Sequence, residues 1–394
     1  MNNKVLLLGG SHAEIPLIKA IQKLGYFVIT TGNNKDGLGH KLADKYISSD
    51  FSDKNAILEL ALKEQVSHIV SGCNDFALLS TAWVAEKLNL KGHDTYETCL
   101  NIHLKDRYRQ KAMQLGIKTP GFVKIEKDEF SKEKIINLSF PLIVKPVDLT
   151  GGKGCKKCYS YEEVEKGIIE AFKQTRKNYV IIEEFIEGTN HGFTTIIQNK
   201  KVVFHFVDNE QHNINKYLVS GASTTHSVPD EAIEQLIHDC ETIASQLNLV
   251  DGILHLQFIL DKKNIPTILE ITRRAPGDLY IKFVELATGI NYSELIVKAE
   301  MGLPLGIIKQ LPAKHNIVRH CIMSNQTGKL KTVGVDDEIK PHIKDSLEWW
   351  KRGDVITNEK LYKAGISFIY FDTEEEMNEV LPLLNDLISI KTEN

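Results

Sequence analysis

A chain of 394 residues is too long for one ordinary hydrophobic core and suits two or three domains, with 42% hydrophobic residues to fill them. Lysine and arginine total 48 against 52 for aspartate and glutamate, and neither sign forms a long block; this argues against nucleic acid or an anionic membrane as partner and for small molecules. The apolar opening run, Val5 to Leu8, turns at once into Gly9 and Gly10 and is too short for a signal peptide or a membrane span, so a cytoplasmic location and free thiols at the six scattered cysteines are expected.

Over the first hundred residues buried-strand runs alternate with helical stretches: Lys4 to Leu8, Ile15 to Leu24, Phe27 to Thr30, Ala56 to Glu64 and His68 to Ser71. That alternation predicts a parallel α/β domain. Its first turn, Gly9-Gly10-Ser11-His12-Ala13-Glu14, lacks the glycine spacing that brings a backbone onto a pyrophosphate, and reads as a plain strand-to-helix turn. A polar helix is predicted from Leu104 to Leu115, ending at Gly116, and Thr119-Pro120 opens a new region. There, strands are predicted at Pro141 to Pro146 and Tyr179 to Glu183, separated by a glycine-rich segment and a helix that Ser160 and Glu163 begin in capping-box spacing. Further strands follow at Thr194 to Ile197, Lys201 to Val207, Gly252 to Leu260 and Ile265 to Ile271. The last two flank the turn Asp261 to Asn264 and read as an antiparallel hairpin, which sets Gln257 and Glu270 on neighbouring strands. From Ile307 onward, short strands at Ile317 to Met323 and Ser367 to Phe371 and a helix after Thr373 predict a small α+β cap. The chain has no internal repeat and no low-complexity segment.

The chemistry concentrates in Phe140-Pro-Leu-Ile-Val-Lys-Pro146 and the following Asp148-Leu-Thr-Gly-Gly-Lys-Gly-Cys155. An apolar strand delivering one lysine, followed by Gly151, Gly152 and Gly154, can set a cation and several backbone N–H groups around a triphosphate. The order of residues is not that of a P-loop. Next come Tyr179-Val-Ile-Ile-Glu-Glu-Phe-Ile-Glu-Gly188, where an apolar strand runs into acids and an aromatic, and Ile268-Leu-Glu-Ile-Thr-Arg-Arg-Ala-Pro-Gly-Asp278. Cys155 and Cys158 have the spacing of a zinc or redox half-site, but no second pair or close histidine set completes a tetrahedral ligand set.

This ordered set of lysine strand, glycine loop, Glu-Glu-Phe-Ile hinge and Glu-x-x-x-Arg strand end resembles the ATP-grasp superfamily, including carbamoyl-phosphate synthetase, biotin carboxylase and the L-amino acid ligases, over about 300 residues. The resemblance implies an α/β and α+β multidomain fold: an N-terminal parallel α/β pre-ATP-grasp domain over 1–102, an ATP-grasp domain of two α+β lobes over 103–306 with its nucleotide lobe near 118–188, and a C-terminal α+β cap over 307–394.

It assigns Lys105 and Lys145 to the nucleotide phosphates, along with the glycine loop. Glu183 would accept from the adenine amino group, the backbone of Glu184 and Ile186 would read the ring edge, and Ile143, Phe185 and Ile259 would pack on its faces. A ribose contact is expected from Asn190 or His191. One or two Mg²⁺ ions would lie at Gln257, Glu270 and Thr272, of which Glu270 alone keeps the family identity; carbamoyl-phosphate synthetase also has Gln at the first position, and Thr272 departs from the pattern. Arg274 would face an acyl phosphate, and Pro276-Gly277-Asp278 resembles the Arg-x-Gly-Gly-Asp turn of the peptide-forming ligases. In the polar segment Asn209 to Pro229, Lys216, Ser220 and His226 are candidates for a substrate-facing loop, although composition favours a plain surface loop.

The implied activity is an ATP-dependent carboxylate–amine ligase on amino-acid or peptide-like substrates, working through an acyl phosphate with release of ADP and phosphate, and compatible with a homodimer. Two rivals stand beside it. One is a bicarbonate-activating carboxylase or carbamoylating enzyme of the same fold, and the other is a nucleotide-binding sensor without turnover.

Overall fold

The computed structural model describes residues 3–149 and 152–393. Its N-terminal sheet orders the strands Lys45–Ile47, Phe27–Thr31, Lys4–Leu8 and His68–Ser71, all parallel. A central parallel strand needs cover on both faces, and the run Val5 to Leu8 is fully buried for that reason. Val5 and Leu7 pack with the helix Ile15–Lys23, whereas Leu6 and Leu8 face the helices Lys54–Glu64 and Asp75–Leu88. In the first turn the Glu14 carboxylate accepts from Ser11 N at 2.8 Å and Cys73 N at 2.9 Å, so the chain's own acid fills the anion position at this helix start. Gly10 is required there, because a Cβ would stand 2.0 Å from the His40 ring.

The helix predicted from Leu104 to Leu115 is present as Lys105–Gln114, and a further helix, Tyr96–His103, precedes it, the two separated at Leu104, whose backbone is extended. The break makes Lys105 the first residue of its helix and turns it towards the next domain.

That domain opens with a four-stranded antiparallel sheet in the order Phe122–Glu126, Tyr179–Glu184, Leu142–Pro146, Lys156–Cys158. Side chains alternate along its strands. Leu142, Val144, Val180 and Ile182 pack with Val164 and Ile168 of the helix Tyr161–Phe172, while Ile143, Lys145 and Glu183 take the opposite face. The helix is capped as its sequence suggests. Ser160 accepts from Glu163 N, and the Glu163 carboxylate returns to Tyr159 N at 2.7 Å, one residue before the expected partner.

The third sheet has eight strands in the order Pro266–Thr272, Gly252–Leu260, Thr189–Gln198, Lys201–Gln211, Gly221–Thr224, Asn316–Met323, Lys363–Phe371, Ile343–Glu348. Phe193, Leu254, Leu256 and Phe258 on one face pack against the helix Asp230–Gln246. Ile196, Phe204, Phe206 and Ile253 on the other meet Tyr280, Phe283 and Tyr292 of the helices Tyr280–Thr288 and Tyr292–Glu300. The segment after 307 continues this sheet through the pairing of Asn316–Met323 with Gly221–Thr224. It also builds its own core, Leu330, Ile369, Met377 and Ile390, beneath a three-stranded sheet. Among the described residues no helix is long and apolar enough to cross a membrane.

Candidate active site

The four-stranded sheet, the open part of the eight-stranded sheet and the N-terminal domain enclose a cleft of about 560 Å³. Register builds its floor. Asp208 pairs with Gly192, Gly192 with Gln257, and Gln257 with Glu270, so one row crosses four adjacent strands. The next row in the same direction is Thr194, His255 and Thr272. Residues sharing a row share a face in an antiparallel sheet, which is how positions from 192 to 272 converge.

Two buried lysines enter from above, each with a carboxylate. Lys105 Nζ is 2.7 Å from Glu270 Oε1 and donates to Leu149 O at 2.8 Å. Lys145 pairs with Glu183 Oε1, and Arg109, fully buried, donates from Nε and Nη2 to Glu183 Oε2 at 3.2 and 3.0 Å. Burial works to raise both acids, but the cations outweigh it: Arg109 and Lys145 hold Glu183, and Lys105 and Lys145 hold Glu270, below the usual carboxylate range. Burial opposes and Glu270 more than restores the charge of Lys105, whose pKa is raised. Arg274 is clamped in bidentate fashion by Asp75 of the N-terminal domain, Nε to Oδ1 at 3.0 Å and Nη2 to Oδ2 at 2.7 Å. Asp75 also accepts from the Thr272 hydroxyl at 3.3 Å and has His103 Nδ1 at 3.8 Å.

Of the residues singled out from the sequence, Lys105, Lys145, Gly152, Glu183, Glu184, Phe185, Ile186, Ile259, Gln257, Glu270, Thr272 and Arg274 line the cleft, and Ile143 joins them. Gly151 lies outside the described residues. Gly154 (φ +72°) packs on Pro146, and Gly152 (φ +71°) on Tyr217, where a Cβ would stand 2.1 Å from the Tyr217 Cβ. Three assignments change with the geometry. Glu183 has its oxygens on Arg109 and Lys145, so it orients a lysine where the sequence reading set it against an adenine amino group. His191 faces away from the cleft, stacked on Phe258 with Nε2 2.6 Å from the Thr189 hydroxyl, and its neighbour Asn190 lines the cleft instead, as strand alternation requires. In the segment 209–229, Lys216 reaches the cleft, whereas Ser220 is buried with its hydroxyl donating to Gln211 O and His226 is exposed.

Backbone groups of the hinge are partly spent. Glu184 N donates to Gly121 O at 2.9 Å and Phe185 N to Pro141 O at 3.0 Å, which leaves the Glu184 carbonyl and the Ile186 backbone as the groups to meet a ring edge. Of the cysteine pair, Cys155 lines the cleft and Cys158 is in the small-lobe core.

Sequence reasoning missed Asp75, Arg109, Asp208, Glu210, Tyr280 and Arg319, all on or beside this cleft. Arg109 follows Lys105 by four residues on one helix face, a readable signal. Asp75 follows Asn74, whose side chain accepts from Phe76 N, and looks like ordinary helix capping. Asp208 and Glu210 extend a strand that polarity appeared to end at Val207.

For a magnesium ion, Glu270 supplies a carboxylate and Gln257, directly opposite, an amide oxygen; with phosphate oxygens and water that donor set fits one ion. The Thr272 hydroxyl is directed to Asp75 and adds no charge for a second.

Residues 112–299 match the family described as D-ala D-ala ligase C-terminus. The carbamoyl phosphate synthase large chain of Clostridium acetobutylicum is 23% identical over 345 residues, covering 84% of this chain but 31% of that protein, so the chain spans about a third of that curated relative. Among solved structures, an L-amino acid ligase from Bacillus licheniformis superposes with a TM-score of 0.81 at 20% identity, and phosphoribosylglycinamide synthetase from Anaerococcus prevotii with 0.77 at 22%, each covering 100% of both chains. The biotin carboxylase domain of Hydrogenobacter thermophilus 2-oxoglutarate carboxylase, solved with MgADP and bicarbonate, gives 0.79 at 17% identity over 99% of this chain and 90% of that one. Sheet order, lobes and whole-length superposition agree on the architecture: the chain has the ATP-grasp fold that these structures share.

Proposed function

We propose that the protein is an ATP-dependent carboxylate–amine ligase that activates a carboxylate as an acyl phosphate, joins it to an amine and releases ADP and phosphate. The observation that carries this reading is the convergence, in one cleft, of two acid-paired buried lysines, an aspartate-clamped arginine and an amide–carboxylate pair on facing strands. ATP lies with its base in the hinge, the Glu184 carbonyl accepting from the adenine amino group and Ile143 and Ile259 against the ring faces. Lys105 and Lys145 neutralise the phosphates, and Arg109 with Glu183 keeps Lys145 from relaxing away. Glu270 and Gln257 would hold magnesium, which when bound supplies charge neutralisation between phosphate oxygens.

Arg274, a planar fork with permanent charge, stabilises the carboxylate as it becomes an acyl phosphate and the oxyanion formed when the amine attacks. Gly152, Tyr217 and Lys157, tied by the Lys157 N to Tyr217 Oη hydrogen bond at 3.2 Å, close the cleft so that water does not compete with the amine. A substrate carrying heavy oxygen in its carboxylate then delivers one labelled oxygen to inorganic phosphate per turnover. Release of AMP and pyrophosphate, or unlabelled phosphate alongside amide, sinks this reading.

Gln257 together with the carbamoyl phosphate synthase relatives favours a second reading, in which bicarbonate is the acid activated. ADP release stimulated by bicarbonate alone, with no amine present, selects it.

A further inference from the structure

Between the strand that ends at Thr272 and the helix that starts at Tyr280 the chain turns through Arg274, Pro276, Gly277 and Asp278, all of which line the cleft. Two consecutive residues of this turn, Asp278 (φ +53°) and Leu279 (φ +56°), have left-handed backbone, which a Cβ disfavours. Strain of this kind persists only where the surroundings over-determine it, and it gathers at sites that use the resulting shape. Packing does not hold the middle of the turn: a Cβ on Gly277 would meet nothing within 4 Å.

What holds it are charged side chains from both flanking parts of the chain. Lys363, in the C-terminal cap, donates to Asp278 Oδ2, and His12 Nε2, from the first turn of the N-terminal domain, is 3.4 Å from Oδ1. Arg319 Nη1 donates to the Asp278 carbonyl at 3.1 Å. The His12 ring is stacked on Trp349, centroids 4.2 Å apart and 16° from parallel, and Trp349 N donates to Ala364 O at 2.9 Å, next to Lys363. Burial works to raise the Asp278 carboxyl, but His12, Lys363 and Arg319 outweigh it and hold it well below the usual carboxylate range.

At the other end of the turn Asp75 grips Nε and Nη2 of Arg274, whose remaining nitrogen, Nη1, donates to Ala275 O at 3.0 Å. The guanidinium is therefore tied to the backbone of the turn. A turn that relaxed at Asp278 and Leu279 would shift Ala275 O, and the arginine with it. Neither Lys363 nor His12 lines the cleft, so any effect they have on its chemistry passes through Asp278.

We propose that Lys363 and His12 are positioning residues for the turn from Arg274 to Asp278, so that the N-terminal domain and the C-terminal cap must both be docked for Arg274 to stand where the acyl phosphate forms. This rests on the ligase reading and gives the cap a part in it.

The test compares wild type with Lys363→Met, Lys363→Arg, Asp278→Asn and the double variant Lys363→Met/Asp278→Asn, following ADP release with MgATP, a panel of carboxylates and hydroxylamine as acceptor. Lys363→Met should lower kcat about 10- to 100-fold, the scale of a small misplacement at a reacting centre, with KM for MgATP kept within about 2-fold. Lys363→Arg should recover most of the rate. Asp278→Asn should lower kcat similarly, and the double variant should be no slower than the slower single one, because both changes break one contact. An unchanged kcat in Lys363→Met, losses that multiply in the double variant, or a rise in KM for MgATP as large as the fall in kcat overturns the assignment and leaves the ligase reading standing. Should Lys363→Met fail to fold, His12→Gln takes its place in the same cycle, with a loss of about 3- to 10-fold expected. If no carboxylate drives ADP release in the wild type, the ligase reading falls and the turn is judged by hydrogen exchange. Amides of residues 274–280 exchanging about 10-fold faster in Lys363→Met, with those of residues 142–146 unchanged, support the positioning, and equal exchange overturns it.

Discussion

The two ends of the cleft handle buried charge in opposite ways. At the phosphate end Lys105 and Lys145 already hold Glu270 and Glu183, so the desolvation of each charge is offset before any ligand arrives. At the far end burial, the larger cause, pushes Asp208 up to about 6 and Glu210 up to about 8, with Asp208 repelling Glu210 and Tyr280 and Gln257 only partly opposing. On the proposed reading the first end is a pre-assembled counter-ion site in which phosphate oxygens would exchange with carboxylates. The second keeps its electrostatic cost, so charge is balanced in advance only where the proposed nucleotide phosphates lie.

The comparison breaks most sharply at Lys145. Lys145→Ala removes a point charge from the phosphate end and leaves Glu183 to Arg109 alone, so turnover should fall about 10²- to 10³-fold, with weaker ATP binding by calorimetry. Unchanged affinity and rate would remove Lys145 from the site.

A second test uses two consecutive arginines. Arg273 is saturated by Asp94 at 2.7 Å, Val250 O at 2.7 Å and Ile253 O, away from the cleft, whereas Arg274 lines it. Arg274→Lys should lower kcat about 10²-fold with the melting temperature nearly kept, because the lysine leaves a cation beside buried Asp75 but removes the planar fork. Arg273→Ala should do the reverse, leaving Asp94 buried without its partner at a cost of about 3–5 kcal/mol in stability. Thermal melts set beside ADP-release rates separate the two, and a swap of the phenotypes would refute the division.

How far the sequence went follows from the same chemistry. Strand alternation made Lys145, the Gln257–Glu270 pairing and the parallel first domain readable, since periodicity and one turn determine them. The far wall was unreadable for a physical reason. Asp208 and Glu210 carry strand hydrogen bonds while lining a cleft, and polarity at a strand end looks like a loop until the cleft is known. Asp75 and Arg319 come from separate regions, and their approach to Arg274 and Asp278 is a product of tertiary packing with no local signature.

At the metal row the expected effects are smaller and opposite in sign. Glu270→Gln removes the one carboxylate at the positions matched to magnesium and frees Lys105, so activity at low Mg²⁺ should drop about 10- to 100-fold and recover in part as Mg²⁺ is raised. Gln257→Glu should keep activity and shift the Mg²⁺ dependence to lower concentration, provided Glu210, now facing a second acid, takes up a proton. Equal Mg²⁺ curves for wild type and both variants would place the ion elsewhere.

The smallest expected effect sharpens the comparison outside the cleft, at Glu300. This acid is buried and accepts from Ser71 N at 2.5 Å and Ser71 Oγ at 2.8 Å, joining the helix Tyr292–Glu300 to the N-terminal sheet. Burial, the dominant cause, raises it from 4.5 to about 7, while Ser71 and Arg273 pull it down. A carboxyl whose folded pKa is raised contributes stability that is complete below about 4.5, declines as the unfolded chain ionises first, and is gone above about 7. Wild type should therefore lose stability relative to Glu300→Gln as pH rises from 5 to 8, by on the order of 1 kcal/mol, or about 2–4 °C in melting temperature. Taking the difference between the two proteins cancels His93, whose burial lowers it to about 4 and which titrates over part of the same range in both. Like Asp208 and Glu210, Glu300 is an acid raised by burial, but its lone pairs are met by Ser71. Addition of MgADP and an amino acid should leave its pH profile unmoved, and a profile that shifted with ligand would mean that the interdomain contact and the cleft titrate as one unit.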